Sequence, residues 1–131
     1  MKKLIILLLF IPLFSLSQTL YQTEKRTDID YKDNVFYLDK KDLLDIYIPK
    51  GKKNYPVVVY FHGGALIAGS KEMGKDVGEK LAKNGIGFVS ANYRLSPTVK
   101  YPSHINDAQA ATEWVFNNIE SFGGDLKNVY V

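Results

Sequence analysis

Residues 56–64 read PVVVYFHGG, Pro56-Val57-Val58-Val59-Tyr60-Phe61-His62-Gly63-Gly64, and this stretch decides the fold. From Val57 to Phe61 the run is apolar and β-rich without alternation, as a strand buried on both faces reads. The glycines after His62 make a sharp backbone turn easy. Downstream, Gly87 to Asn92 reads as a second buried strand through Phe88, Val89 and Ala91, and Val129-Tyr130-Val131 begins a third.

Between these strands the period changes. Ser70 is placed to cap a helix, with Glu72 in its first turn and Met73, Val77 and Leu81 on one apolar face. Asn84-Gly85 stops it. After the loop from Tyr93 to Pro102, Ser103 or Asn106 can cap a second helix, whose stripe is Ala108, Ala111, Val115 and Ile119. Gly123-Gly124 closes that helix. Strands alternating with helices predict an α/β fold with a mostly parallel sheet covered on both faces.

Upstream, Asn34 to Leu38 and Leu43 to Ile48 read as two strands of an antiparallel hairpin, with Leu44, Ile46 and Ile48 on one face. Residues 18–33 are polar and unpatterned and read as a leader into a domain spanning 34–131. Residues 1–17 read as a Sec-type signal peptide: Lys2-Lys3 form a positive region, Leu4 to Phe14 an apolar run, and Ser15-Leu16-Ser17 a cleavage site. The run falls short of the about 20 apolar residues of a stable membrane anchor. The expectation is export to a periplasmic or extracellular location.

Composition narrows the function classes. The chain has 131 residues, 46% hydrophobic and 24% charged, the balance of a globular protein. Its net charge of +3 includes Lys2 and Lys3, and the other lysines are scattered among acids and turns, so no nucleic-acid surface is expected. With 0 cysteines, disulfides and thiolate metal sites are excluded. No Walker or dinucleotide pattern occurs.

In a parallel sheet, ligands bind outside the carboxyl ends of the strands. The first buried strand ends there in His62-Gly63-Gly64-Ala65. Glycines in such a loop let amide N–H groups face an open pocket, where they can stabilise a developing oxyanion. A lone His-Gly-Gly is equally compatible with a simple turn. Arg94 and Asp107 are either an ion pair pinning the loop between them or two independent surface charges. His104 reads as a solvated first-turn residue.

As an ordered set, PVVVYFHGG, the run Ala91 to Pro97 (ANYRLSP), Tyr101-Pro102, Asp107, Ala110-Ala111, Trp114 and Phe122-Gly123-Gly124-Asp125 resemble the carboxylesterase and lipase branch of the α/β-hydrolases. The likeness is greatest to its feruloyl-esterase-like and hormone-sensitive-lipase-like groups. The resemblance implies the N-terminal part of an α/β-hydrolase fold and a serine carboxylic-ester hydrolase acting on small-molecule esters, with no metal and no organic cofactor. It makes Gly64 and Ala65 the oxyanion amide donors, with Gly63 and His62 shaping the loop. The family often carries a third glycine at the position of Ala65, so alanine is expected there only if its backbone needs no positive φ. It also often carries a large aromatic at the position of Leu66.

The family's nucleophile lies on a G-x-S-x-G elbow directly after the strand that begins at Val129. No such motif, and no acid and histidine following it, occurs in these residues, so the chain alone is expected to be inactive and its isolated sheet poorly soluble. The alternative is a non-catalytic, truncated or degenerate hydrolase-fold protein acting as a binding module.

Overall fold

The computed structural model describes residues 19–32 and 39–131. The signal peptide at 1–17 and the strand expected at Asn34 to Leu38 lie outside the described residues. Among the described residues five strands form one mixed sheet: β1 (Thr23–Asp30), β2 (Leu43–Pro49), β3 (Tyr55–Phe61), β4 (Gly87–Ala91) and β5 (Gly124–Tyr130). Their spatial order is β1-β2-β4-β3-β5. β1 pairs antiparallel with β2, and β2 with β4. β3 runs parallel to both β4 and β5. Helix α1 (Lys75–Lys83) and helix α2 (Ser103–Asn118) connect these parallel strands. This is the N-terminal part of an α/β-hydrolase fold.

The outer antiparallel partner of β2 is β1, which lies inside the segment read as a leader. Its sequence, TEKRTDID, is largely solvent-exposed. Such charge is what keeps a sheet edge from pairing with other chains, and it hides the strand from a hydrophobic pattern. β5 likewise begins at Gly124, earlier than expected: Gly124 pairs with Tyr55, and the register then shifts before Val129 pairs with Val57.

The core divides by sheet face. On one face Leu44, Ile46, Val57, Val59, Val89 and Ala91 pack against Ala111 and Val115 of α2 and Ile119 just after it, from the expected stripe. On the other, Tyr47 and Phe88 pack with Ala82, and Val58 and Tyr60 are only partly buried. Here the expectation for α1 holds at Leu81, which packs on this cluster, and is inverted at Met73 and Val77. Met73 and Val77 are 57% and 52% exposed, while Gly74, Gly78 and Ala82 are buried against the sheet. A Cβ on Gly78 would sit 2.6 Å from the Tyr47 ring and 2.8 Å from the Phe88 ring. The aromatic bulk comes from the strands, so the helix must supply the small residues.

The caps differ too. Ser70 makes no side-chain cap, and a 3-10 turn over Lys71–Gly74 precedes α1. Pro102 stands at the start of α2, and neither Ser103 nor Asn106 caps it.

Candidate active site

The parallel register sets Phe61 beside Ala91 and Val58 beside Tyr130, so β3, β4 and β5 end along one edge of the sheet. The loop leaving β3 and the loop leaving β4 meet there. His62 is 2% exposed, and its ring lies on the Tyr93 ring with centroids 4.4 Å apart and an interplanar angle of 15°. The Tyr93 hydroxyl donates to the His62 carbonyl at 2.6 Å. His62 Nδ1 is 2.8 Å from the Gly63 carbonyl, which makes Nδ1 the protonated nitrogen and leaves buried Nε2 as an acceptor without a partner among the described residues. Burial holds this imidazole below the ordinary histidine value, against the pull of the Gly63 carbonyl and with the help of the Lys41 charge.

After His62 the chain makes a tight turn. The Gly64 carbonyl accepts from the amides of Ile67 at 3.0 Å and Ala68 at 3.1 Å. Gly64 has φ +120°, and a Cβ there would lie 2.1 Å from the Ala68 carbonyl oxygen. Ala65 and Leu66 follow at φ +53° and +63°. The expectation of a negative φ at Ala65 is therefore wrong. The left-handed region is small but open to alanine, at about 1–2 kcal/mol per residue. Among the described residues, no acceptor takes the amides of Gly64 or Ala65. Two exposed amide donors thus stand at the carboxyl edge of the parallel strands.

Beside this turn an apolar pocket of about 270 Å³ is lined by Phe61, His62, Leu66, Tyr93, His104, Ile105 and Ala108. His104 is buried at 6% exposure rather than solvated, and its Nε2 lies 3.1 Å from the Ser96 hydroxyl. The expectation for His104 fails because the loop after β4 folds back over the start of α2.

Arg94 and Asp107 are paired. The guanidinium donates to the carboxylate through Nε at 2.8 Å and Nη2 at 2.7 Å, and the Arg94 amide adds a third bond at 3.0 Å. Lys32 also reaches Asp107, tying in the segment after β1. Burial alone would raise the Asp107 carboxyl, but the hydrogen bonds from Arg94 and Lys32 outweigh it and hold the group below the ordinary aspartate value.

A second ion cluster lies under the opposite root of the loop, and sequence reasoning missed it. Lys71, 4% exposed, sits 2.7 Å from Asp45, 2.9 Å from Asp28 and 3.2 Å from Glu72. Lys25 meets the other Asp45 oxygen at 3.1 Å. Burial works against the Lys71 charge, but the bonds to Asp45, Asp28 and Glu72 outweigh it and push the ammonium above the ordinary lysine value. One signal was available. Asp45 alternates with Leu44 and Ile46 in β2, so a charge was due on an inward face. Tyr93 was also missed, since an aromatic in a Pro-rich loop carries no period. Among the described residues no cluster of three or more His, Asp or Glu could hold a metal ion.

Strand order, connection by helices and a glycine turn at the carboxyl edge are those of the α/β-hydrolase class. The family model named BD-FAE matches residues 44–131, and the chain belongs to that family. Over 92 residues it is 37% identical to a probable isoprenylcysteine alpha-carbonyl methylesterase of Oryza sativa, a match covering 70% of this chain and 22% of that protein. It is 39% identical over 88 residues to carboxylesterase NlhH of Mycobacterium tuberculosis, covering 63% of this chain and 26% of the relative. Among solved structures, an inhibited esterase B from Lactobacillus rhamnosis superposes with TM-score 0.75 at 25% identity, over 82% of this chain and 35% of that one. The esterase of Pyrobaculum calidifontis gives TM-score 0.65 at 31% identity, over 86% and 35%. The chain thus spans about a quarter of the length of the curated relatives it matches.

Proposed function

We propose that this chain is the front part of an exported serine carboxylic-ester hydrolase and supplies the oxyanion loop of its active site. The observation that carries this reading is the turn at Gly64-Ala65, whose two amides have no acceptor among the described residues and stand at the carboxyl edge of the parallel strands. In this mechanism a serine on an elbow following β5 attacks the carbonyl carbon of a small-molecule ester. The carbonyl electron pair moves onto its oxygen, and the amides of Gly64 and Ala65 donate to that oxygen. Collapse of the tetrahedral intermediate expels the alcohol, and water then releases the acid from the serine. His62 shapes the loop and takes no part in proton transfer. The triad comes from residues beyond Val131, so residues 18–131 alone do not turn over. The relatives' names support the chemistry, and the apolar pocket beside Leu66 supports an uncharged group next to the ester.

The test begins with the reading frame beyond Val131, where a G-x-S-x-G motif within a few codons is expected. A stop codon there favours the non-catalytic reading. In the complete gene product Gly64→Ala should lower kcat on a p-nitrophenyl acyl ester by about a hundredfold, the scale of a lost oxyanion donor. Undiminished turnover would sink the oxyanion assignment, and turnover by residues 18–131 alone above a Gly64→Pro control would sink the expectation that they are inactive. N-terminal sequencing of the secreted protein should begin at Gln18; a chain starting at Met1 would refute the export reading.

A further inference from the structure

The glycine turn is held at its near end by the stacked His62 and Tyr93. Its far end, Lys71, meets three strands at once. The Lys71 amide donates to Asn92 Oδ1 at 2.7 Å, just past β4, and the Lys71 carbonyl accepts from the Ser90 hydroxyl of β4 at 2.7 Å. Its ammonium is bound by Asp45 of β2 and Asp28 of β1. Asp45 in turn accepts from the Asp28 amide at 3.1 Å and pairs with Lys25 of β1.

The main-chain bonds of Lys71 need no charge, and an apolar side chain of similar length would fill its space. Burying an ammonium beside a carboxylate is a poor route to stability, because both must leave water. What a satisfied ionic cluster provides is a single geometry, since each charge has few places where all its bonds are met. Gly69, two residues before Lys71, packs so closely on His62 that a Cβ would lie 2.3 Å from Nδ1. A small shift of Lys71 is therefore felt by the His62 ring and by the turn that begins after it.

We propose that Lys71 is the positioning residue of this loop, and that its buried ion cluster with Asp45 and Asp28 sets the direction of the Gly64 and Ala65 amides. The catalytic consequence rests on the oxyanion reading of those amides; the positioning itself does not.

The experiment uses the complete gene product and compares Lys71→Met, Lys71→Arg and Asp28→Asn by hydrogen exchange and steady-state kinetics on a p-nitrophenyl acyl ester. In Lys71→Met, the hydrogen-bonded turn amides of Ile67 and Ala68 should exchange about tenfold faster while β3 and β4 keep their protection. Lys71→Arg should recover most of that protection. In the same Lys71→Met variant kcat should fall about tenfold with KM within about twofold, as expected for a misaimed transition-state contact. Unchanged loop exchange, equal loosening of loop and strands, or an arginine variant as loose as the methionine variant would each overturn the proposal. Should Lys71→Met fail to fold, Asp28→Asn decides: Asp28 has a 59% exposed side chain, so its loss spares the core. Faster exchange confined to these turn amides supports the proposal, and no change overturns it. Loop loosening with kcat unaltered leaves the positioning standing and removes the oxyanion reading.

Discussion

Tyr93 holds His62 in two ways, by a ring stack at 4.4 Å and by a 2.6 Å hydrogen bond from its hydroxyl to the His62 carbonyl. The second residue of the loop after β4 thereby fixes the first residue of the loop after β3. Tyr93→Phe keeps the stack and removes the bond. The expected loss is about 1 kcal/mol of stability in the complete gene product, read by denaturant melts. A larger effect is expected on exchange of the turn amides of Ile67 and Ala68. Equal protection there in both proteins would separate the hydroxyl from loop order.

The burial of His62 has a pH consequence. Its folded-state value lies below the ordinary 6.5, so below about pH 6.5 the unfolded chain takes up a proton that the folded chain resists. Stability from this group is complete above 6.5 and is lost as pH falls from there through the lower folded value. His62→Phe retains an aromatic ring against Tyr93 and cannot titrate. Melting temperatures at pH 7.5, 6 and 5 should fall less steeply for the variant, and parallel curves would place the acid sensitivity elsewhere.

Gly78 offers a test of the inverted helix. In an exposed helix, alanine for glycine gains about 1 kcal/mol. Here the new methyl would meet the Tyr47 and Phe88 rings at 2.6 Å and 2.8 Å, and overpacking of this kind costs about 1–3 kcal/mol. Gly78→Ala is therefore expected to destabilise, whereas Val77→Ala at the exposed neighbouring position should stay within about 0.5 kcal/mol. A stabilised Gly78→Ala protein would mean that α1 does not lie against these rings.

Asp107 joins β1's exit, β4's exit and α2. Asp107→Asn removes the charge between Arg94 and Lys32, at an expected cost of about 3 kcal/mol. The loosening should concentrate in residues 92–103, measured by hydrogen exchange. Asp107's folded value is lowered, so its contribution is present above the ordinary aspartate range and is lost as pH falls through the lower folded value. The variant should accordingly lose less stability than the parent on acidification below about pH 4.

An apolar groove runs along α2 to the end of β5, lined in part by Phe61, Ile105, Phe116 and Val131. Ile105, Phe116 and Val131 are 59%, 46% and 76% exposed. Residues 18–131 expressed alone are expected to bind a hydrophobic dye and to melt without a sharp transition. A sharp cooperative melt with little dye binding would contradict that.

The sequence by itself determined the parallel α/β core, the α2 stripe and the place of the glycine loop. Each rests on a local pattern: β-rich runs, a 3.6-residue period, and glycines directly after a strand. Tertiary structure decided the rest. β1 escapes a hydrophobic reading because an edge strand is stabilised by its pairing and protected by its charges. α1 turns its glycines inward because the space against the sheet was already taken by Tyr47 and Phe88. Ala65 takes a left-handed backbone because the turn demands it, whatever its side chain prefers. Lys71 with Asp45, and Tyr93 with His62, are meetings of distant residues, and contact across a sheet leaves no spacing to read.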